Sequence, residues 1–386
     1  MRYDSVPEAA YQRMVTLRRA LHRIPELAFR EELTAEQIIA ELARLGIPCE
    51  YQGVGSAVIG RIAGSGPCVA LRAEMDALPG YENTDLPFAS TLEGKMHACG
   101  HDAHMAMVLG AAQLLVDEPP EADVRLVFQP AEERGGGARG VMASGALDDV
   151  VAIFAGHVTA HYRVGEIMVS EGVITAQTDR FAIDVQGRGG HGARPHEATD
   201  AIVIAGFLIT ALQTLVSRET DPLHPSVVTV GRVEAGTAAN VIADRAWLEG
   251  TIRTTLPEVR EHLFAGIRRM ARAMADLHSG RLDVEIEEGY PPVVNTGREA
   301  RLATRSARQV VGEAGLMQLV HPSMGGEDFS YYLEKIPGCY VRFGARPPGR
   351  EFVPLHSPAF DVDEAVLRVG AAFFDQVARD AAAEYG

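Results

Sequence analysis

Residues 96–104, with the sequence MHACGHDAH, place three histidines, one cysteine and one aspartate within nine positions. The apolar run 105–116 that follows predicts a buried helix, so the cluster lies at the N-terminal end of that helix. On a regular helix Cys99 and His101 would point about 200° apart, so they can bind one metal only if this segment is a turn or extended. Thiolate and imidazole are both good ligands for zinc-like ions. From this segment alone, a buried free cysteine beside surface histidines is an equally good interpretation.

Length and charge limit the class of protein. A chain of 386 residues is too long for one small core, which predicts two domains. The net charge of -16 argues against nucleic acid and anionic membranes as partners. The four cysteines form no C-x-x-C pair and no apolar segment resembles a signal peptide, so we expect free thiols and a cytoplasmic location. The longest apolar run, 201–211, is too short to span a membrane.

Predicted buried strands are each followed by acids or metal-type ligands. The strands are 67–72, 124–128 and 151–155, and after them come, in turn, Asp76, the pair Glu132 and Glu133, and His157. Open α/β sheets form their sites at the C-terminal ends of strands, so the pattern predicts a site in an α/β domain. The adjacent Glu132 and Glu133 point in different directions, which suits one carboxylate as a metal ligand and the other as a general base.

A different pattern begins near residue 179. Strands and helices are predicted at 180–186 (strand), 199–218 (helix), 226–233 and 246–253 (strands), 257–278 (helix) and 282–288 (strand). This βαββαβ order is that of ferredoxin-like domains. We therefore predict a catalytic domain made of residues 1–178 and 290–386, interrupted by an inserted domain at 179–289. The first inserted helix is apolar nearly all round, which predicts either a dimer contact or burial against the catalytic domain.

Several motifs for other chemistries are absent or incomplete. Residues 187–192 match GxGxxG, but no helix opens directly on them and no ribose-binding acid follows, which excludes a dinucleotide site. These glycines fit a tight turn that presents His191, although an incidental histidine in a glycine turn remains an alternative. The sequence has no GxSxG, HExxH or P-loop. Cys99 as a covalent nucleophile would leave the clustered carboxylates unexplained.

A series of blocks running nearly end to end carries a family resemblance. The blocks are 71–79, 96–104, 128–133, 156–158, 189–196, 235–242, 250–254, 324–329 and 355–358. In this order they resemble the M20 metallopeptidase clan, and within it the amidohydrolase branch of hippurate hydrolases, N-acyl-L-amino-acid amidohydrolases and auxin-conjugate hydrolases. The resemblance implies an α/β, zinc-peptidase-like catalytic domain, with a central sheet flanked by helices, plus an inserted ferredoxin-like lid or dimerisation domain.

The resemblance also implies roles for particular residues. The implied ligands of two divalent ions per subunit (Mn, Zn, Co or Ni, with Mn or Zn favoured) are Cys99, His101, Glu133, His157 and His356. Glu132 is implied as the general base and Asp76 as an acid that orients the ligands. The residues implied to hold substrate or the oxyanion are His191, Asn240 and Arg253. His191 is implied to reach the site of a neighbouring subunit, in a homodimer or a dimer of dimers.

The expected reaction is hydrolysis of the amide bond of an N-acyl or N-aroyl amino acid, giving a carboxylic acid and a free amino acid. Arg253 is the expected partner of the amino acid's carboxylate, because guanidinium binds carboxylate through two hydrogen bonds. Within the clan the alternative is a dipeptidase or carboxypeptidase. A hydrolase with a cysteine nucleophile and a catalytically inactive metal-binding protein are the alternatives from other classes.

Overall fold

The computed structural model describes residues 2–51, 57–349 and 351–386 of the chain. Unit 1 comprises Met1–Ile174, Val293–His321 and Glu327–Gly386, and unit 2 comprises Thr175–Pro292 and Pro322–Gly326. Unit 1 contains a mixed sheet flanked by helices and unit 2 contains the βαββαβ unit, so the predicted fold class is confirmed. That residues 179–289 fold as a domain of their own stays a prediction.

The elements follow the predicted periodicity closely. In chain order the helices are α1 (Glu8–His22), α2 (Glu32–Arg44), α3 (His101–Asp117), α4 (Gly137–Ala143), α5 (Ala201–Glu219), α6 (Pro257–His278), α7 (Gly297–Val311), α8 (Ser330–Leu333) and α9 (Val366–Tyr385). The strands are β1 (Cys49–Tyr51), β2 (Val58–Ile62), β3 (Cys68–Glu74), β4 (Leu78–Pro79), β5 (Lys95–Met96), β6 (Asp123–Gln129), β7 (Val150–Arg163), β8 (Ile167–Met168), β9 (Gly172–Val173), β10 (Gln177–Gln186), β11 (Gly190–His191), β12 (Ser226–Ala235), β13 (Val241–Ile242), β14 (Arg245–Thr254), β15 (Arg281–Glu288), β16 (Val294–Asn295), β17 (Leu316–Met317) and β18 (Gly338–Arg346).

The main sheet of unit 1 has the strand order β1-β2-β6-β3-β7-β18-β8-β17. Strand β3 runs parallel to both β6 and β7, and Glu74 pairs with Gln129, so β3 and β6 end at the same level. The prediction that the third strand ends before His157 is wrong. Strand β7 continues to Arg163 because β18 pairs with it along this extension. Strand β18 itself is nine residues long.

Unit 2 is a two-layer structure. Its antiparallel sheet has the order β12-β14-β10-β15, and helices α5 and α6 pack on one face. Along β14 buried and more exposed residues alternate, as expected for a sheet covered on one side. Helix α5 begins at Ala201 because Asp200 caps it, with Oδ1 accepting the N–H of Ile202 at 2.9 Å.

Helix α5 keeps an exposed apolar face. Ile202, Val203 and Phe207 are 48%, 45% and 56% exposed. The helix continues to Glu219, beyond the predicted apolar run 201–211, and by length and composition it could cross a membrane. The statement that no apolar segment reaches that length is therefore wrong for the helix as formed. Its other face packs on the sheet of unit 2, as the core helix of a two-layer unit does.

The chain leaves unit 1 and returns to it at adjoining points. The N–H of Ile174 donates to the carbonyl of Val293 at 2.8 Å, and the neighbouring strands β9 and β16 pair. Within unit 2 the two ends are also adjacent, since Thr178 N–H donates to the carbonyl of Tyr290 at 3.0 Å.

Candidate active site

A left-handed glycine separates Cys99 from His101. Gly100 has φ 86° and helix α3 begins at His101, so Cys99 lies in the turn before the helix, where both side chains can serve one ion. Position 100 requires glycine, because a Cβ there would lie 2.4 Å from Cγ2 of Val158. The segment is therefore a turn at Cys99, as the binding of one metal by both Cys99 and His101 requires.

The hydrogen bonds of His101 and His157 bear on which ring nitrogen of each could bind a metal. Each ring donates its Nδ1–H to a backbone carbonyl, His101 to Asp76 at 2.8 Å and His157 to Val158 at 2.7 Å. In the neutral rings these contacts fix the tautomer and leave Nε2 to accept or to bind a metal. Nε2 of His157 lies 3.2 Å from Sγ of Cys99, and Nε2 of His101 is buried without a hydrogen-bond partner among the described residues.

Glu133 and His356 are the remaining two of the five implied ligands, and they lie next to each other. Nε2 of His356 lies 3.3 Å from Oε1 of Glu133. His356 has φ 66°, and its N–H donates to the carbonyl of Ala98 at 2.8 Å, which ties the C-terminal region to the turn that bears Cys99. All five side chains that the resemblance implies as ligands thus lie close together in unit 1.

These side chains form two sets of three that share Cys99. One set adds His101 and His157, the other adds Glu133 and His356, and within each set the candidate ligand atoms lie within 4.8 Å of one another. Sulfur, nitrogen and carboxylate oxygen together suit borderline divalent metals. The donor set and the unpaired Nε2 of His101 fit a pair of metal ions with the Cys99 thiolate as a common ligand.

The turn formed by residues 130–133, here called the acid turn, follows strand β6. The carboxylate of Asp76 holds it: Oδ1 accepts the N–H of Glu132 at 3.1 Å and Oδ2 accepts the N–H of Glu133 at 3.0 Å. Because the carbonyl of Asp76 also fixes His101, one residue orients both ends of the ligand set. The chain then passes so close that a Cβ at Gly137 would lie 1.6 Å from the carbonyl oxygen of Pro130.

Burial sets the charge states of the cluster. Burial, with the nearby Glu133 charge, raises the pKa of Cys99 to about 12, so the thiolate requires a cation beside it. Burial and then the charge of His104 hold the pKa of His157 well below its usual value, which keeps its lone pair available. Burial, followed by the charge of Glu327, raises the pKa of Glu132 well above that of a free carboxyl group.

An ionic network behind the acid turn was not predicted. Arg72 is fully buried; its Nη2 lies 3.0 Å from Oε1 of Glu327 and donates to Oδ1 of Asp328 at 2.7 Å, and its Nη1 donates to Glu74. Glu74 in turn accepts from Nδ1 of His104 at 2.8 Å. The sequence showed charged residues in an apolar strand, but their complete burial cannot be read from it.

His191 and Asn240 are brought together in unit 2. The turn formed by residues 189–192, here called the histidine turn, pairs with β13 through β11, and Gly192 N–H donates to the carbonyl of Asn240 at 2.9 Å. Nδ1 of His191 accepts the N–H of Ala193 at 3.1 Å, which leaves Nε2–H as a donor. His191 and Asn240 are exposed and line a groove of about 1080 Å³ together with Trp247.

Arg253 lies elsewhere in unit 2. It is half-buried on strand β14, opposite Thr178, and does not line that groove. Within the described part of the chain it has no ion-pair partner, and burial lowers its pKa, with a further contribution from Arg180. A half-buried guanidinium of this kind is suited to a carboxylate ligand.

Comparison with known proteins decides the family. Residues 70–380 match peptidase family M20/M25/M40. The chain belongs to this family. It is 41% identical over 380 residues to the N-acetylcysteine deacetylase of Bacillus subtilis, covering 96% of this chain and 97% of that one. It is 39% identical over 368 residues to thermostable carboxypeptidase 1 of Saccharolobus solfataricus, covering 93% and 92%.

A solved structure agrees with this membership. The crystal structure of a Bacillus subtilis protein described as a dinuclear metal-binding peptidase of the M20 family is 37% identical, with a TM-score of 0.85, covering 98% of this chain and 100% of that one. The resemblance to the M20 amidohydrolase branch and the expectation of a metal-dependent M20-type hydrolase are confirmed.

Proposed function

We propose that this M20 enzyme hydrolyses the amide bond of N-acyl or N-aroyl amino acids with two divalent ions, Mn or Zn before Co or Ni. The observation that carries the proposal is the convergence of five ligand-type side chains, all but His356 largely buried, beside the buried carboxylate of Glu132. Cys99 would be common to both ions, with His101 and His157 on one and Glu133 and His356 on the other. When bound, the ions would lower the pKa of the attacking water towards ~7 and polarise the amide carbonyl.

The residues of the chain supply the proton transfers and the substrate contacts. Glu132 takes a proton as water attacks the amide carbon and returns it to the leaving amine. Asp76 orients Glu132 and the ligand His101. The Nε2–H of His191 would stabilise the developing oxyanion, Asn240 beside it would contact the substrate, and Arg253 would bind the amino acid's carboxylate.

A second candidate function is a dipeptidase or carboxypeptidase. It is favoured by the 39% identity to a protein named a carboxypeptidase, and a peptide bond is cleaved by the same chemistry. The identity to an N-acetylcysteine deacetylase favours the N-acyl substrates. The cysteine-nucleophile alternative is disfavoured because burial keeps the Cys99 thiol protonated unless a cation is present.

A substrate screen tests the proposal. N-acyl amino acids and dipeptides would be assayed with Mn, Zn, Co and Ni, and the bound metal would be measured by mass spectrometry. We expect about two ions per chain and a loss of activity in EDTA that added metal reverses. Full activity in EDTA without bound metal would refute the metal site, and faster cleavage of dipeptides than of N-acyl amino acids would favour the second candidate.

We further propose a homodimer or dimer of dimers in which His191 serves the partner's site, and a cytoplasmic location for an enzyme whose four cysteines are free. The exposed apolar face of α5 supports a dimer contact. Two inactive variants, Glu132→Gln and His191→Ala, should regain activity when they are mixed and reassembled, because each mixed dimer would hold one intact site. No recovery in verified heterodimers, or a fully active monomer in sedimentation, would rule out the shared site.

A further inference from the structure

Glu31 is a buried carboxylate to which the proposed mechanism gives no role. It lies immediately before helix α2 and is 0% exposed. Its Oε1 accepts two backbone hydrogen bonds, from Phe29 N–H at 3.1 Å and from Ala131 N–H at 2.9 Å. One oxygen therefore ties the segment between α1 and α2 to the acid turn.

Both residues that donate to Glu31 have left-handed backbones. The φ angles are 63° at Phe29 and 54° at Ala131, a region that residues with a Cβ avoid. Such a conformation persists only where the surroundings impose it. The Phe29 ring also lies beside Gly136, since a Cβ built there would be 3.2 Å from its Cζ.

Ala131, the left-handed residue of the acid turn, lies directly before Glu132 and Glu133. Its N–H is the first of three consecutive backbone donors that two buried carboxylates capture. Glu31 takes the first, and Asp76 takes the next two, those of Glu132 and Glu133. The direction in which Glu132 leaves the turn depends on the backbone angles of Ala131, so Asp76 alone does not determine it.

We infer that Glu31 is a positioning residue for the reaction. Its carboxylate holds Ala131 in the left-handed conformation and thereby aims Glu132 and Glu133. The inference rests on the proposed function, since it needs Glu132 as the base. It assigns a role in catalysis to the segment between the first two helices, which contains none of the implied metal ligands.

Steady-state kinetics of the metal-loaded enzyme test this role. Glu31→Leu removes the acceptor, and kcat should fall about 10²-fold with KM changed less than about threefold, because the base is misplaced. Glu31→Gln keeps an Oε1 acceptor and should stay within about tenfold of wild type. The matched control Glu32→Leu changes the exposed neighbour at the start of α2 and should leave kcat unchanged. Wild-type kcat in Glu31→Leu would overturn the inference.

Rescue by glycine separates positioning from general loss of structure. Glycine adopts positive φ without a Cβ penalty, so adding Ala131→Gly to Glu31→Leu should restore kcat at least tenfold. Adding Phe29→Gly instead, at the other left-handed residue, should restore less than twofold. Equal rescue by both changes, or none by Ala131→Gly, would contradict a role through the acid turn. If Glu31→Leu does not fold, Ala131→Val with Glu31 intact should show the same loss of kcat, since a β-branched residue resists this conformation.

Amide hydrogen exchange provides a readout that does not require turnover. In the metal-loaded protein, the peptide covering residues 129–135 should exchange at least tenfold faster in Glu31→Leu than in wild type or Glu32→Leu. Unchanged exchange would refute the inference. If the wild type hydrolyses no N-acyl amino acid or dipeptide, the proposed function fails, while the exchange experiment still decides whether Glu31 holds the turn.

Discussion

The acid turn and the histidine turn carry functional side chains in contrasting ways. In the acid turn, buried carboxylates accept three consecutive N–H groups, and the side chains it presents are largely buried. The histidine turn is held by backbone pairing with β13, and His191 itself is exposed. The acid turn is thus fixed by the chain's own interior, whereas His191 has a defined tautomer but few neighbours.

This difference indicates which functions one chain completes alone. Buried polar contacts fix a site to a fraction of an ångström before a ligand binds. An exposed histidine acquires a low-dielectric environment only when substrate or another surface covers it. We therefore expect the acid turn to bear on metal binding through Glu133 and on rate through Glu132, whereas changes in the histidine turn should affect rate alone.

The largest expected effect concerns Glu132. Glu132→Gln should lower kcat by about 10³-fold or more while both metal ions remain bound, because it removes the base and not a ligand. Glu133→Gln should in addition lower the metal content. Metal analysis alongside kinetics distinguishes the two, and equal, mild effects would contradict the proposed division of roles between them.

The next effect concerns the histidine turn. His191→Ala should lower kcat about 10²- to 10³-fold through loss of an oxyanion donor. Metal content and thermal midpoint should stay at wild-type values because the side chain is exposed. The matched control is His196→Ala, which changes an exposed histidine of the same region and should leave kcat, metal content and thermal midpoint unchanged. A fall in metal content in His191→Ala would erase the contrast between the two turns.

A pH effect on stability should arise at His22, next to the ligand-bearing segment. Burial lowers its pKa, but Asp102 and Glu82 raise it more, to about 9. Because the folded pKa exceeds the unfolded value near 6.5, the stabilisation is complete below pH 6.5 and is lost as pH rises through 9. The difference in unfolding free energy between wild type and His22→Gln should shrink by up to about 3 kcal/mol over that range. Urea unfolding across pH measures it, and a difference independent of pH would contradict the raised pKa.

The smallest effect tests the open face of unit 2. Gly206 lies within α5, and apart from its chain neighbours and the adjacent helix backbone no atom of the described residues lies within 4 Å of a Cβ built there. Gly206→Ala should therefore stabilise unit 2 by about 0.5–1 kcal/mol through backbone entropy. Gly110→Ala, where the Cβ would lie 2.1 Å from Sδ of Met14, should destabilise the protein. A thermal midpoint lowered by Gly206→Ala would indicate that another surface packs on this face.

Much of the fold was readable from the sequence because periodicity and glycines report local structure. The predicted helix 257–278 is α6 as observed, and the histidine-rich segment 96–104 lies at the start of α3 as expected. The length of β7 was not readable, since it depends on pairing with β18, a strand distant in the chain. The exposure of one face of α5 was also left open, because apolar composition does not say what covers a helix.

The sequence predicted members of the candidate site only where the residue types themselves indicate metal binding or catalysis. Cys99 and His101 belong to a dense cluster, so their role could be proposed from residues alone. Glu31 looks like an ordinary surface charge in the sequence, and Arg72 is a charge in a predicted buried strand. Only the contacts of Glu31 with the acid turn and of Arg72 with Gln129 of strand β6 give them a role. Buried carboxylates that hold backbone N–H groups have no sequence signature of their own, because their partners are distant in the chain.

The adjoining points at which the chain leaves and re-enters unit 1 bear on how the protein folds during synthesis. Strand β18 and helix α9, which complete unit 1, are made only after the whole of unit 2. Closing a long unfolded loop costs entropy that grows with the logarithm of its length. Once β10 and β15 have paired, Thr178 and Tyr290 are already adjacent, and that loop is in effect short. Early folding of unit 2 on the ribosome would therefore speed assembly of the catalytic sheet.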